Sequence, residues 1–231
     1  MRLLVDCGFG QKQLANRLAR ANLAPGDIDA IFITHEHGDH VGCATALALQ
    51  RGIPVWMSQG TYEAILSPDL KGLLRIAKDS EVICLGDLKV MPFTVPHDAR
   101  EPLQLTCQEG LEKLAILTDL GHATAHVVHH LQHCNAIVLE CNHDTDLLDN
   151  SSYPVFLKRR VGGAYGHLSN AAAADIAGQS SHPNLQLIVA AHLSQQNNRP
   201  ELASSCLSRV LGSSTTIAVA TPEAGCAWMN L

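Results

Sequence analysis

A chain of 231 residues has room for one sizeable hydrophobic core. Its hydrophobic content of 46% is ordinary for a globular protein, and no apolar run approaches the roughly 20 residues of a membrane span. A formal net charge of −6 excludes a generally basic, nucleic-acid-coating surface and leaves only local patches for an anionic partner. In chain order, residues 3–5 read as a strand ending at Asp6-Cys7-Gly8. Residues 11–24 read as an amphipathic helix with Leu14, Leu18 and Ala21 on one face, closed by Pro25-Gly26-Asp27. Strands are expected at 30–34 and 54–58, and helices at 43–50 and 60–66. Four β-like segments follow, at 81–85, 88–95, 103–108 and 112–118, separated by turn residues such as Gly86-Asp87 and Glu109-Gly110. They read as an antiparallel meander. Then come helix 123–133, strand 136–140, an irregular stretch, helices near 154–161 and 169–178, strand 185–191, helix 200–211 and strand 215–220. No linker, repeat or low-complexity tract justifies a cut, so residues 1–231 are expected to form a single domain. Strand-rich and helix-rich stretches each occur twice, which suits two sheets with helices outside, an α/β protein of αββα type.

The densest chemistry lies directly after the apolar segment 30–33. Thr34-His35-Glu36-His37-Gly38-Asp39-His40 puts three imidazoles and two carboxylates in one loop. Groups packed that closely repel or desolvate one another unless something holds them. A divalent cation does so, because neutral imidazole and ionised carboxylate are both metal ligands. The order His-x-His-x-Asp-His can serve two metals: His35 and His37 face the same way in extended chain, and Gly38 lets the backbone turn before Asp39 and His40. Thirteen histidines in an acidic chain point the same way. Eight cysteines stand singly without a CxxC pair and read as reduced thiols of a cytoplasmic protein. The first residues, Met1 to Asp6, lack the apolar stretch of a signal peptide.

A dinuclear site needs more than four ligands, and each further one should follow a strand. His97 follows Phe93-Thr94-Val95-Pro96, Asp119 follows Ala115-Ile116-Leu117-Thr118, and His192 follows Leu187-Ile188-Val189-Ala190-Ala191. With these residues in view, the chain resembles the metallo-β-lactamase superfamily over nearly its whole length. The resemblance implies a four-layer αββα sandwich. It also implies a ligand set, with His35, His37 and His97 on one metal, Asp39, His40 and His192 on the other, and Asp119 bridging. A hydroxide held between the metals would be the nucleophile. His37 stands where oxygen-reducing di-iron members place a carboxylate, which argues for hydrolysis. Imidazole-rich sites suit zinc, with manganese or iron as alternatives.

Residues outside the ligand set indicate a branch. Pro96-His97-Asp98-Ala99, Thr118-Asp119-Leu120-Gly121-His122, Glu140-Cys141-Asn142-His143-Asp144, Tyr153-Pro154 with Lys158-Arg159-Arg160, Gly166-His167-Leu168-Ser169-Asn170 and Ala191-His192-Leu193-Ser194 resemble the YycJ/WalJ-like phosphodiesterases and exonucleases related to RNase Z. In that branch His167, paired with Glu140, matches the proton donor to the leaving oxygen. Asp39 and Asp119 would orient the hydroxide. Asp6 is expected to hydrogen-bond a metal-bound histidine. Lys158, Arg159, Arg160, Ser169 and Asn170 are candidate contacts to substrate phosphate, although a solvated helix face and a simple N-cap explain them equally well. The expected substrate is nucleic acid, DNA favoured, or another phosphodiester. A thioester or lactone hydrolase of the same fold and a weakly active, metal-stabilised regulator remain alternatives. In this branch two strands normally precede the one ending at Asp6; either the start of the chain is misassigned or internal, or the strands are absent and an unpaired sheet edge is expected there.

Overall fold

Apolar runs without polar alternation become parallel strands covered on both faces. Runs 30–33 and 187–191 are of this kind. In the computed structural model, which describes residues 1–231, every residue of the two strands they form is buried. The chain divides into two units, residues 1–94 with 99–103 and residues 95–98 with 104–231.

The first unit contains β1 (Leu3–Val5), α1 (Gln11–Arg20), β2 (Ala30–Phe32), α2 (Gly38–Val41), α3 (Ala44–Arg51), β3 (Val55–Met57), α4 (Gln59–Ala64), β4 (Leu74–Ile76), β5 (Ile83–Leu85) and β6 (Leu88–Thr94). Strands β1 to β4 lie in sequence order and are parallel throughout, with Leu3 beside Ala30, Ile31 beside Val55 and Val55 beside Leu74. Strands β5 and β6 form an antiparallel hairpin whose turn uses Gly86 at φ +60°. Leu14, Ile31, Ile33, Leu47, Val55 and Met57 share one core, and Leu18 packs against it. Helix α1 stops four residues earlier than its periodicity predicts. Asn22 takes φ +57°, so that the Leu23 N–H donates to Leu18 O at 2.9 Å and the Asn22 N–H to Ala19 O at 3.1 Å, a cap that ends the helix before the apolar spacing does. Strand β4 and helix α2 escape the pattern reading because three or four residues show no period.

The second unit contains β7 (Leu103–Glu109), β8 (Glu112–Leu117), α5 (Ala125–Leu131), β9 (Ala136–Glu140), α6 (Thr145–Asp149), α7 (Val155–Val161), α8 (Asn170–Gln179), β10 (Leu187–Ala191), α9 (Pro200–Ser208) and β11 (Thr216–Val219). Strands β7 and β8 pair antiparallel, as the predicted meander requires. Strand β8 then takes a parallel neighbour, β9, and the order continues through β10 to β11 in parallel. The crossover helices are capped by side chains, Thr124 accepting from the Val127 N–H, Asp144 from Leu147 and Ser169 from Ala172. Asp144 thereby starts a short helix where the sequence reads as irregular. No helix is long and apolar enough to cross a membrane.

Within each sheet, parallel strands bring their carboxyl ends to one edge of that sheet, where α/β sheets place their chemistry. Asp6 follows β1, His35 follows β2, Asp119 follows β8, Glu140 ends β9 and His192 follows β10. In the first unit this edge is assembled by close backbone packing. A Cβ on Gly8 would lie 1.6 Å from Asp39 O. The Cys7 N–H donates to His40 O at 2.7 Å, and the Cys43 N–H donates to Cys7 O at 3.1 Å. Gly8→Ala therefore has to push the His-rich loop away. At about 1–3 kcal/mol for overpacking, the thermal midpoint should fall by roughly 2–12 °C, measured by scanning calorimetry. An unchanged midpoint would show that the two loops are not tightly apposed.

Candidate metal centre

In the first unit the site begins with Asp6, turned at the end of β1 by a left-handed φ of +59°. Its carboxylate accepts from the Thr34 N–H at 2.9 Å, from the Thr34 hydroxyl at 2.9 Å and from Nδ1 of His40 at 2.7 Å. A carboxylate can only accept here, so Nδ1 of His40 carries the proton and Nε2 is left bare. The Thr34 hydroxyl, donating to Asp6, is left to accept from Nδ1 of His35 at 3.0 Å, which bares His35 Nε2 in the same way. That nitrogen lies 2.9 Å from Nδ1 of His37. His35 is fully buried, and Asp39 is 72% exposed in its side chain with Oδ2 3.7 Å from His40 Nε2.

In the second unit the organiser is Glu140, which is completely buried. One carboxylate oxygen accepts from Nδ1 of His167 at 2.8 Å and from Nδ1 of His192 at 2.9 Å. The other accepts from the Leu120 and Leu168 N–H groups, each at 3.1 Å. Leu120 follows Asp119 and Leu168 follows His167, so one side chain fixes the loops that carry both. Asp119 and His192 leave their strands with φ of +52° and +57°. Asp119 Oδ1 lies 3.2 Å from Nδ1 of His167 and 3.4 Å from Nδ1 of His192. His97 donates Nδ1–H to Gly166 O at 3.1 Å. Potential ligand atoms of Asp119, Glu140, His167 and His192 all lie within 4.8 Å of one another.

This network sets the protonation states. Burial disfavours a charged His167, but its hydrogen bonds to Asp119 and Glu140 and their negative charge outweigh that and push it up to about 10. Burial likewise opposes a charged His192, and the charge of Asp119 with the hydrogen bond to Glu140 reverses the effect and raises it. Burial alone would raise Glu140, yet the hydrogen bonds from His167 and His192 hold its carboxyl below the ordinary range. His97 is lowered by burial, more than the charge of Asp119 restores.

The donor set fits divalent cations. His35, His40, His97 and His192 each commit Nδ1 to a hydroxyl, carboxylate or carbonyl and keep Nε2 for a ligand. Metal-binding histidines are oriented in this way. Thr34, Gly166 O and the two leucine N–H groups belong to this framework, and sequence reasoning overlooked them. Thr34 alone left a signal, a hydroxyl directly before the first histidine. His143, buried with no partner for Nδ1, was also passed over.

The phosphate candidates divide. Lys158 spends its ammonium on Asp149 O at 2.6 Å, and Arg160 pairs with Asp98 at 2.7 Å. The Ser169 hydroxyl caps α8. Asn170 is buried and exchanges amide hydrogen bonds with Asn198 at 2.8 and 2.9 Å. Asn170 is thereby taken up by the framework, whereas Ser169, Lys158 and Arg160 keep further donors, and the Arg160 side chain is 61% exposed. Arg159 is exposed and makes no ion pair.

The profile of the metallo-beta-lactamase superfamily matches residues 2–148. The chain belongs to that superfamily and is one of its hydrolases, and the fold implies divalent metal ions. Within it, the chain is 33% identical over 216 residues to exodeoxyribonuclease YycJ of Bacillus anthracis, covering 91% of this chain and 81% of that one. It is 31% identical over 207 residues to exodeoxyribonuclease WalJ of Streptococcus pneumoniae, covering 87% and 77%. In fold it is similar to the metallo-beta-lactamase fold protein YhfI of Bacillus subtilis, with a TM-score of 0.73, 17% identity and coverage of 98% and 86%. The expected metallo-β-lactamase fold is thus borne out.

Two predictions follow from the Glu140 network. Glu140→Gln keeps the shape but loses the charge facing two imidazoles, and should weaken metal affinity about 10–100-fold in chelator competition. Unaltered affinity would deny Glu140 any orienting role. His167 binds its proton more tightly folded than unfolded. The stability it contributes is full below about pH 6.5 and is lost as pH rises through about 10. In chelator-treated protein the thermal midpoint should fall more steeply over that window than in His167→Asn. Parallel curves would place the proton elsewhere.

Proposed function

We propose that the chain is a phosphodiesterase acting on nucleic acid, with DNA favoured, and that residues 1–231 work as one catalytic domain. In this reading two divalent cations, zinc first and manganese or iron as alternatives, are held by His35, His37, Asp39, His40, His97, Asp119 and His192. Bound there, the metals supply Lewis acidity toward the phosphate and lower the pKa of water. Eight free thiols suit a reducing, cytoplasmic setting.

The observation that carries the reading is the pairing of His167 with Glu140 at 2.8 Å beside Asp119. His167 is outside the proposed ligand set, and two carboxylates favour its protonated form. Glu140 keeps the Nδ1 proton, which leaves Nε2–H to be given to a leaving alkoxide. A sugar oxygen needs that proton. Asp39 and Asp119 orient the attacking water. The names of the YycJ and WalJ relatives support the same substrate class.

The test compares end-labelled single- and double-stranded DNA, RNA, bis-p-nitrophenyl phosphate and a glutathione thioester, with Asp119→Ala as the blank and chelator as a second control. Diester hydrolysis that both controls abolish is expected. Hydrolysis of the thioester alone would favour an acyl substrate, and full metal loading without any turnover would favour a regulator. His167→Ala should cost about 10²–10⁴-fold on DNA. It should cost far less on bis-p-nitrophenyl phosphate, whose leaving group departs unprotonated. Equal losses on both would remove the proton-donor role.

A further inference from the structure

Helix α7 and the loop after it carry a feature that the hydrolytic chemistry leaves unused. Phe156 is 72% exposed and Tyr165 is 62% exposed, in a chain that is only 4% aromatic. Each is tied to the site by short covalent or hydrogen-bonded steps. Phe156 lies one helical turn before Arg160 on the same face, and Arg160 reaches Asp98, the neighbour of His97. Tyr165 directly precedes Gly166, whose carbonyl accepts from His97, and stands two residues before His167. Arg159, the exposed cation without an ion-pair partner, lies between them in sequence and three residues after Phe156.

These parts are joined by close backbone packing. A Cβ on Gly166 would come within 2.1 Å of Arg160 O, so the loop backbone lies directly on the end of α7. The His167 N–H donates to Val161 O at 2.8 Å, and the Gly166 N–H donates to Gly163 O at 2.9 Å. The backbone that carries the proton donor and both aromatic residues is therefore packed into one segment.

We propose that Phe156, Tyr165 and Arg159 form a clamp for the unpaired nucleotides next to the scissile phosphate, so that the protein takes single-stranded DNA. The inference rests on the phosphodiesterase reading and narrows it. Exposed rings bind bases by stacking, which needs an open base face, whereas a base inside a duplex has both faces covered. Arg159 supplies the charge complement to phosphate on a chain whose net charge of −6 repels nucleic acid elsewhere. Arg159 has no ion-pair partner, whereas Arg160 is tied to Asp98 through Nε, so the contact assigned here is the one from Arg159.

The experiment measures the affinity of the metal-loaded protein for a fluorescently labelled oligothymidylate by anisotropy, beside a blunt duplex and an oligouridylate of the same length. Single strands should bind more tightly than the duplex, with the oligouridylate arm separating DNA from RNA. Phe156→Ala and Tyr165→Ala should each weaken oligothymidylate binding about 5–100-fold, and Phe156→Trp should restore it with quenching of the new fluorescence. Arg159→Ala should flatten the salt dependence by about one counterion. Val155→Ala, an equally exposed apolar change one residue away, serves as control. Unchanged affinity in Phe156→Ala and Tyr165→Ala, tighter binding of the duplex, or an equal loss in Val155→Ala overturns the clamp. A dimer that Phe156→Ala dissolves does so as well, since the face would then serve self-association. Bis-p-nitrophenyl phosphate hydrolysis by the unsubstituted protein, read in parallel, keeps the two readings apart. Stacking without any diester hydrolysis sinks the phosphodiesterase reading, and hydrolysis without stacking sinks only the clamp.

Discussion

The second unit depends on one buried carboxylate. Removing an ionised group from water costs several kcal/mol unless its oxygens are satisfied. Glu140 meets that cost with four donors, two imidazoles and two peptide N–H groups. The donors come from the loops after β8 and β10 and from the segment that opens α8. A single side chain at the end of β9 thus sets the positions of Asp119, His167 and His192 together. Its charge also keeps Nδ1 of both histidines protonated, which decides the nitrogen each can offer.

Asp6 repeats the arrangement on a smaller scale in the first unit. It is partly shielded, accepts from Thr34 and His40, and through the Thr34 hydroxyl controls His35. The two devices share a backbone solution. Asp6, Asp119 and His192 all leave their strands in the left-handed region. That conformation costs of order 1 kcal/mol or more for a residue with a side chain. It turns the residue after a strand sharply toward the sheet edge, where a chain that simply continued would carry it past. Strain of this kind persists only where the surrounding structure over-determines it, as the hydrogen bonds at Asp6 and His192 do.

The segment from α7 to His167 shows how backbone packing can position a proposed proton donor without a large core. Glycines at 163 and 166 allow the loop backbone to lie against the helix end. Arg160 and Lys158 are spent on Asp98 and on the Asp149 carbonyl, fastening the helix at two points. The basic run therefore has a structural part, while Arg159 and the 61% exposed Arg160 both keep charge toward solvent.

The metal-binding character of this protein was legible in the residues themselves, because imidazoles and carboxylates crowded into one loop are hard to satisfy otherwise. The placement of His97, Asp119 and His192 after strands was equally plain, and most so for His192, whose buried parallel strand is an unbroken apolar run. Helix ends were less so: Asn22 closes α1 by adopting a left-handed angle that spacing does not reveal, and Asp144 starts α6 by capping where the pattern shows no period. What tertiary structure alone decided was which polar groups were left over. Asn170 looked available as a sequence, but folding buries it against Asn198, and Arg160 is drawn to Asp98, 62 residues away. Glu140 was expected only as the partner of His167, not as the organiser of His192 and two loop N–H groups as well. Its weight comes from donors 20 to 52 residues away, and only folding brings those within hydrogen-bonding distance.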